Sequence, residues 1–219
     1  VKNRPESVDR KTTSVLEDHP EFDTPKDNEE IWRYMNFSQF VNFLTTSSLW
    51  FGRSDILQKF DPMEGRVPPA QKKINDDHLR SIDFVPMTDG NGQVIQTGAQ
   101  RSEGYIKILQ RSNFFQKYHH YINCWNIEAF ENYAMWGVYG KEKNCIAIRS
   151  TMGHLKNSLP TNKRYQIYAG KIKYIDYKSD VISTEGLENG FSKHLRKSHF
   201  YKNENELRLI HWDVGAKSE

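Results

Sequence analysis

The sequence predicts an α+β domain built on a mixed or antiparallel sheet with inserted helices. Two observations point there. Short β-branched and aromatic runs at 31–35, 49–52, 122–125, 145–148 and 206–212 alternate with stretches of helical periodicity. The apolar fraction is a lean 37% while aromatics reach 13% of 219 residues, so Phe, Tyr and Trp must supply much of the core. There is no internal repeat and no low-complexity tract.

Residues 1–28 carry scattered charges with Pro5, Pro20 and Pro25, and are expected to form a disordered or loosely packed acidic tail. A single domain over 29–213 follows. Its first strand is 31–35. Asn36 or Ser38 then caps a helix whose buried face is Phe37, Phe40, Val41 and Leu44. Thr45 to Ser48 end that helix, and 49–52 reads as a second strand. Residues 55–69 form an irregular loop containing Asp61-Pro62-Met63-Glu64-Gly65, and 70–80 a polar helix. Three glycines in 86–103 mark a mobile excursion or hairpin. A longer helix starts near Glu103, with Tyr105, Ile108, Ser112, Phe115, His119 and Ile122 aligned on one face. Beyond it come a strand at 122–125, a helix over 128–139, a strand at 145–148 and a short helix over 152–159. A half-buried strand at 164–176, a basic helix over 185–201 and a last strand at 206–212 complete the order.

The net charge of +3 is divided unevenly. Residues 1–30 hold nine acids and five bases, a balance of −4, so the remainder sums to +7. Nine Lys/Arg face four acids within 163–202. A basic body suits a polyanionic ligand, and an ordinary Lys-rich solvated surface would look the same. No apolar run approaches the ~20 residues that cross a bilayer, and Val1-Lys2-Asn3-Arg4 has no apolar signal core. Cys124 and Cys145 make neither a disulfide framework nor a metal spacing, which points to a reducing cytoplasm.

Chemistry concentrates at Glu204-x-Glu206-x-Arg208. On a strand these three share a face, and two carboxylates there raise one another's pKa unless a cation, here Arg208, lies between. An acid/base pair and a cross-strand ion ladder both fit. Arg33, between Trp32 and Tyr34, is suited to gripping a phosphate while a neighbour stacks on a base. Asp61 and Glu64 put two carboxylates on a tight turn. The sequence contains no P-loop, dinucleotide-binding glycine fingerprint, nucleophile elbow or zinc-protease motif.

Taken in order, Trp32-Arg33-Tyr34, Trp50-Phe51, Asp61-Pro62-Met63-Glu64, Met135-Trp136 with Tyr139, and Glu204-x-Glu206-x-Arg208 resemble the bacterial domain-of-unknown-function family 2971 over about residues 31–212. The family's Phe-Asn before Asp-Pro is Lys59-Phe60 here. Arg on a first strand, a Ser-bearing second strand and a late Glu-x-Glu also resemble the Arg–Ser–Glu class of ADP-ribosyltransferases. That class carries Ser-Thr-Ser where this chain has Thr46-Ser47-Ser48. This second resemblance implies an ADP-ribosyltransferase-like fold with NAD as substrate. Arg33, Tyr34, Ser48, Trp50 and Trp136 would bind NAD, with Glu206 as catalytic residue on the ribose and Glu204 on the acceptor side. Asp61 and Glu64 would meet the acceptor, a macromolecule such as RNA or DNA. A toxin or phage-defence setting follows, with an antitoxin-like neutralising protein as partner. Two other classes remain: a metal-dependent nuclease using Asp61, Glu64, Glu204 and Glu206, and a non-catalytic nucleic-acid or protein-binding module.

Overall fold

The computed structural model describes residues 16–17, 19–20, 22–139, 144–160, 166–182 and 190–213. Alternating apolar positions build a six-stranded antiparallel sheet. Its strands are β1 (Glu30–Asn36), β2 (Gly52–Arg53), β5 (His120–Ile127), β6 (Cys145–Thr151), β7 (Ile167–Lys171) and β10 (Glu206–Trp212). They run β6-β1-β5-β10-β7, with the two-residue β2 also on β5. A hairpin of β3 (Met87–Thr88) and β4 (Val94–Gln96) lies apart, as does a parallel pair of β8 (Lys173–Ile175) and β9 (Arg196–Ser198). The helices are α1 (Phe37–Thr46), α2 (Ser54–Leu57), α3 (Pro69–Ser81), α4 (Gly98–Gln116), α5 (Tyr133–Tyr139) and α6 (Met152–Ser158). The fold is therefore mixed α and β on an antiparallel sheet, and no helix among the described residues is long and apolar enough to cross a membrane.

Strand parity sets two layers. Leu207 and Leu209 join Ile31, Trp125, Ile167 and Ala169 beneath Met152, Leu155 and Leu159. On the other face Ile210 and Ile122 pack with Phe22, Phe191 and Leu195. Arg208 shares this second layer.

Several expectations need correction. The 49–52 strand shrinks to Gly52–Arg53, because Asn123 Nδ2 donates to the Trp50 carbonyl (2.6 Å) where a ladder bond would form. Ser48 consequently sits in the turn after α1, next to Ser47 in the left-handed region (φ 49°), and not on a strand. The α1 face of Phe37, Val41 and Leu44 is exposed, as are Tyr105, Ile108 and Phe115 of α4. The buried side of α4 is Ser102 and Ile106. A Thr97–Gln100 capping box starts α4 at Gly98, so the 86–103 insertion resolves into the β3–β4 hairpin and the first turns of a helix. Asn132 Oδ1 accepts the Ala134 N–H (2.9 Å), which delays α5 to Tyr133.

The 164–176 strand divides at Ile172, whose N–H donates to the Glu206 carbonyl (2.9 Å), giving β7 and β8. The 185–201 helix is not formed over its described part, which reads 3₁₀ turn (Ser192–Leu195), β9, then 3₁₀ turn (His199–Glu204). Buried Lys193, His194 and Leu195 account for this, since one helical face could not bury three consecutive residues. Its first residues, 185–189, lie outside the described ones.

Most of the acidic tail also lies outside them. Residues 22–28 nevertheless pack closely on the sheet edge: Lys171 N–H donates to the Asp23 carbonyl (2.9 Å) and Thr24 Oγ1 to the Ala169 carbonyl (2.7 Å). Phe22 fills the space above Gly170, where an added Cβ would come within 2.8 Å of its ring. Phe22→Ala is expected to cost about 3 kcal/mol, the usual penalty for emptying a buried aromatic site. Denaturant unfolding measures it, and a change under ~0.5 kcal/mol would show that this segment is not part of the core.

Candidate functional site

Two neighbouring features hold the residues singled out above: a cleft between β1 and β5, and a buried ion network behind it. β1 pairs with β5 only at Ile31↔Ile127 and Trp32↔Asn126, then leaves to follow β6 along its full length. β2 takes β5 again at Ile122 and Tyr121. The edge of β5 between those contacts faces a cleft of about 470 Å³ lined by Arg33, Tyr34, Ser48, Trp50, Cys124 and Tyr139, among others.

Arg33 occupies the gap that the splayed strands leave. Its Nη1 donates to the Cys124 carbonyl (3.3 Å) and its guanidinium lies 5.7 Å from the Trp125 ring centre. Burial pulls its pKa down, opposed only by Cys124 and Tyr139. It forms no ion pair with any described residue. Tyr34 accepts the Asn132 N–H (2.9 Å) and stacks on Tyr139 with centres 6.4 Å apart. Trp136 packs edge-on behind Tyr34 (5.1 Å) and donates Nε1 to Glu131, so it supports the wall without lining the cleft. Ser48 Oγ donates to the Thr46 carbonyl (2.9 Å). Trp50, 59% exposed, stands at the mouth.

Behind Cys124 the ions are arranged differently from the strand-face pattern. β10 begins at Glu206, and Asn205 before it turns through the left-handed region (φ 38°), so Glu204 ends a 3₁₀ turn and is not on the strand. The cation between Glu204 and Glu206 is Lys197, bonded to both, at 3.2 Å from Glu206. Arg208 instead lies between Glu206 and Glu64. Nε donates to Glu206 Oε1 (2.7 Å), Nη1 to Glu64 Oε1 (2.8 Å) and the His194 carbonyl (2.7 Å), and Nη2 to Glu64 Oε2 (2.7 Å). Burial alone would raise Glu206, but Arg208 and Lys197 overcome it and hold the carboxyl at about 2, with help from the Cys124 thiol. Glu204 is more open; burial raises it and Lys197 pulls back. Burial likewise raises Glu64 against the pull of Arg208, and Asp61 against a Met63 N–H.

The sequence-derived residues thus fall into two groups. Arg33, Tyr34, Ser48 and Trp50 share the cleft. Glu204, Glu206, Glu64 and Asp61 gather near Lys197 and Arg208 on the far side of Cys124, where Asp61 and Glu64 are buried. Sequence reasoning missed Lys197, and gave Tyr139 and Cys124 no role at the site although Tyr139 stands in one of the resembling blocks. No three His, Cys, Asp or Glu among the described residues are grouped to hold a metal ion. The nuclease carboxylates Glu64, Glu204 and Glu206 are each bonded to Arg208 or Lys197 instead. Compared with family models, curated proteins and solved structures, the chain matches none.

Two outcomes follow from the network. Arg208→Met strands buried Glu64 and leaves Glu206 to Lys197 alone, and is expected to cost about 3–5 kcal/mol in chemical unfolding; a neutral effect would mean the pairs are not formed. Glu206 falls from its ordinary 4.5 to about 2 on folding. Its ionised form therefore stabilises the fold fully above pH ~4.5, and this contribution is lost as pH falls toward ~2. In acid unfolding the advantage of wild type over Glu206→Gln should shrink across that window. A pH-independent difference would mean Glu206 is not held ionised.

Proposed function

We propose that the β1–β5 cleft binds NAD and that the chain transfers its ADP-ribose to a macromolecular acceptor of the nucleic-acid class. The observation that carries this reading is Arg33: a half-buried guanidinium in an aromatic cleft, with no carboxylate opposite it among the described residues. A pyrophosphate supplies the charge Arg33 lacks, and Trp50, Tyr34 and Tyr139 offer ring surface to a base or nicotinamide. The volume lies in the ordinary range for a small-ligand site. The order of Arg33 before Glu204-x-Glu206, one part of the likeness to ADP-ribosyltransferases, supports the same assignment.

In the reaction the bond between ribose C1′ and the nicotinamide nitrogen breaks, and nicotinamide leaves with the electron pair. The acceptor attacks C1′ and loses a proton. Glu206, fixed as an anion by Arg208 and Lys197 behind Cys124, acts in this reading on the positive charge that develops on the ribose through the wall of the cleft, without touching it. Glu204, more open and with a raised pKa, suits the proton from the acceptor. In this reading the protein acts in a toxin or antiviral-defence setting in the cytoplasm, restrained by a neutralising partner.

A second reading has its own support. Both Glu206 oxygens are engaged by cations, and Glu206 does not line the cleft. This favours a module that holds a nucleotide without turning it over. Calorimetric titration with NAD, beside a nicotinamide-release assay with RNA and DNA acceptors, separates the two. Arg33→Gln is expected to weaken NAD about tenfold to a hundredfold, the worth of a charged hydrogen bond. Glu206→Gln and Glu204→Gln are expected to abolish release while binding persists. Binding by wild type with no release under any acceptor leaves the binding module; no binding sinks both.

A further inference from the structure

We propose that the C-terminal half of α4 and the basic pocket beside it bind single-stranded nucleic acid, with bases on aromatic side chains and phosphates on unpaired cations. This names an acceptor class for the transferase and rests on that reading for its chemistry; the binding itself is measured without NAD.

No Asp or Glu occurs between Glu103 and Glu128, while Lys107, Arg111 and Lys117 fall in that interval. Where α4 turns this stretch outward, Phe114 is 56% exposed and Phe115 is exposed beside it. Phe114, Phe115 and Tyr118 brace one another, with centre-to-centre distances of 5.5, 6.3 and 6.5 Å. Lys117 Nζ lies 4.3 Å from the Phe114 ring centre and 5.1 Å from that of Tyr118, and Arg111 lies 5.5 Å from Phe115. Adjoining the rings is a pocket of about 300 Å³ that Arg66, Lys72 and Lys117 share with a single carboxylate, Asp76. Asp76 accepts a long bond from Gln110 (3.4 Å). None of Arg66, Lys72, Arg111 and Lys117 forms an ion pair with a described residue. Arg53, also over Tyr118, is committed to Asp55 at 2.6 Å and contributes little net charge.

The platform is anchored. Buried Lys193 donates to the carbonyl and side-chain oxygen of Asn113 (both 3.1 Å), which ties α4 to the 3₁₀ turn over the core. A rigid aromatic step with cations at its faces matches how bases stack while phosphates follow a charged groove, without base-specific readout. A duplex offers no free base face to such a step. A lipid surface would need the rings to project beyond the cations, whereas here Lys117 and Arg111 lie over the ring faces.

Fluorescence anisotropy with labelled oligo-dT and oligo-U of about a dozen nucleotides, within the ~4–16 nucleotide span of such sites, tests this in the absence of NAD. Wild type should bind with a logarithmic salt slope of about −0.7 per phosphate contacted. Phe114→Ala and Phe115→Ala should each weaken binding about tenfold. Arg111→Gln with Lys117→Gln should flatten the slope, and NAD titration of all these variants should be unchanged. Absence of binding, affinity untouched by both aromatic replacements, equal affinity for the duplex, or binding to phosphatidylserine vesicles in place of the oligonucleotide overturns the proposal. Loss of NAD binding by wild type with oligonucleotide binding intact would remove the transferase and leave this surface standing.

Discussion

Arg208 carries a full charge into the layer that also holds Ile122, Leu195 and Ile210, at 1% exposure, and much of the surrounding structure satisfies it. Removing such an ion from water costs several kcal/mol, recovered only when its donors are met with good geometry. Glu64 comes from the turn after α2, the His194 carbonyl from the 3₁₀ turn before β9, and Glu206 from the strand of Arg208 itself. One side chain therefore fastens two other segments to its own strand. Gly65, beside Glu64, shows how tightly: it sits at φ 61°, and an added Cβ would lie 2.7 Å from the His194 ring.

The network also reaches the cleft. Arg208 is paired across the sheet with Cys124, whose thiol bonds Glu206 and whose carbonyl accepts Arg33. The residue that closes the back of the cleft is thus held from both sides, by an anion behind and a cation in front. The splay of β1 from β5 creates both the opening and the free carbonyl that Arg33 fills. Tight fastening behind the wall gives the cleft a fixed floor, as preorganised binding requires.

Much of the sheet was legible in the sequence because its signal is local. Leu207 and Leu209 alternate with Arg208 and Ile210, and each pair enters its own layer. α1, α3, α4, α5 and α6 were legible as helices, but the faces of α1 and α4 were not. Phe37, Val41 and Leu44, and likewise Tyr105, Ile108 and Phe115, recur at helical spacing and are exposed. Periodicity reports that a helix has an apolar side and says nothing about what covers it. The Glu64–Arg208 pair spans 144 residues and left no local trace. Lys197 lay in a basic run that resembled a solvated helix, yet its partners, Glu204 and Glu206, follow it closely. Charge spacing alone could not distinguish a helical surface from a strand and two tight turns folded over the core.

The two guanidiniums, one buried and one half-buried, explain each other. Arg208 meets carboxylates and a carbonyl in every direction its nitrogens point, so further charge would gain nothing there; its role is to hold the fold. Arg33 has one long bond to a backbone carbonyl and a ring beneath it, and it opens onto solvent through an aromatic cleft. Even a half-buried cation without an anion lowers stability unless something offsets it. A fold that satisfies one arginine so completely has the means to satisfy the other. Leaving Arg33 open makes sense when the missing anion arrives with a ligand, and the energy of that pairing then appears as binding instead of folding.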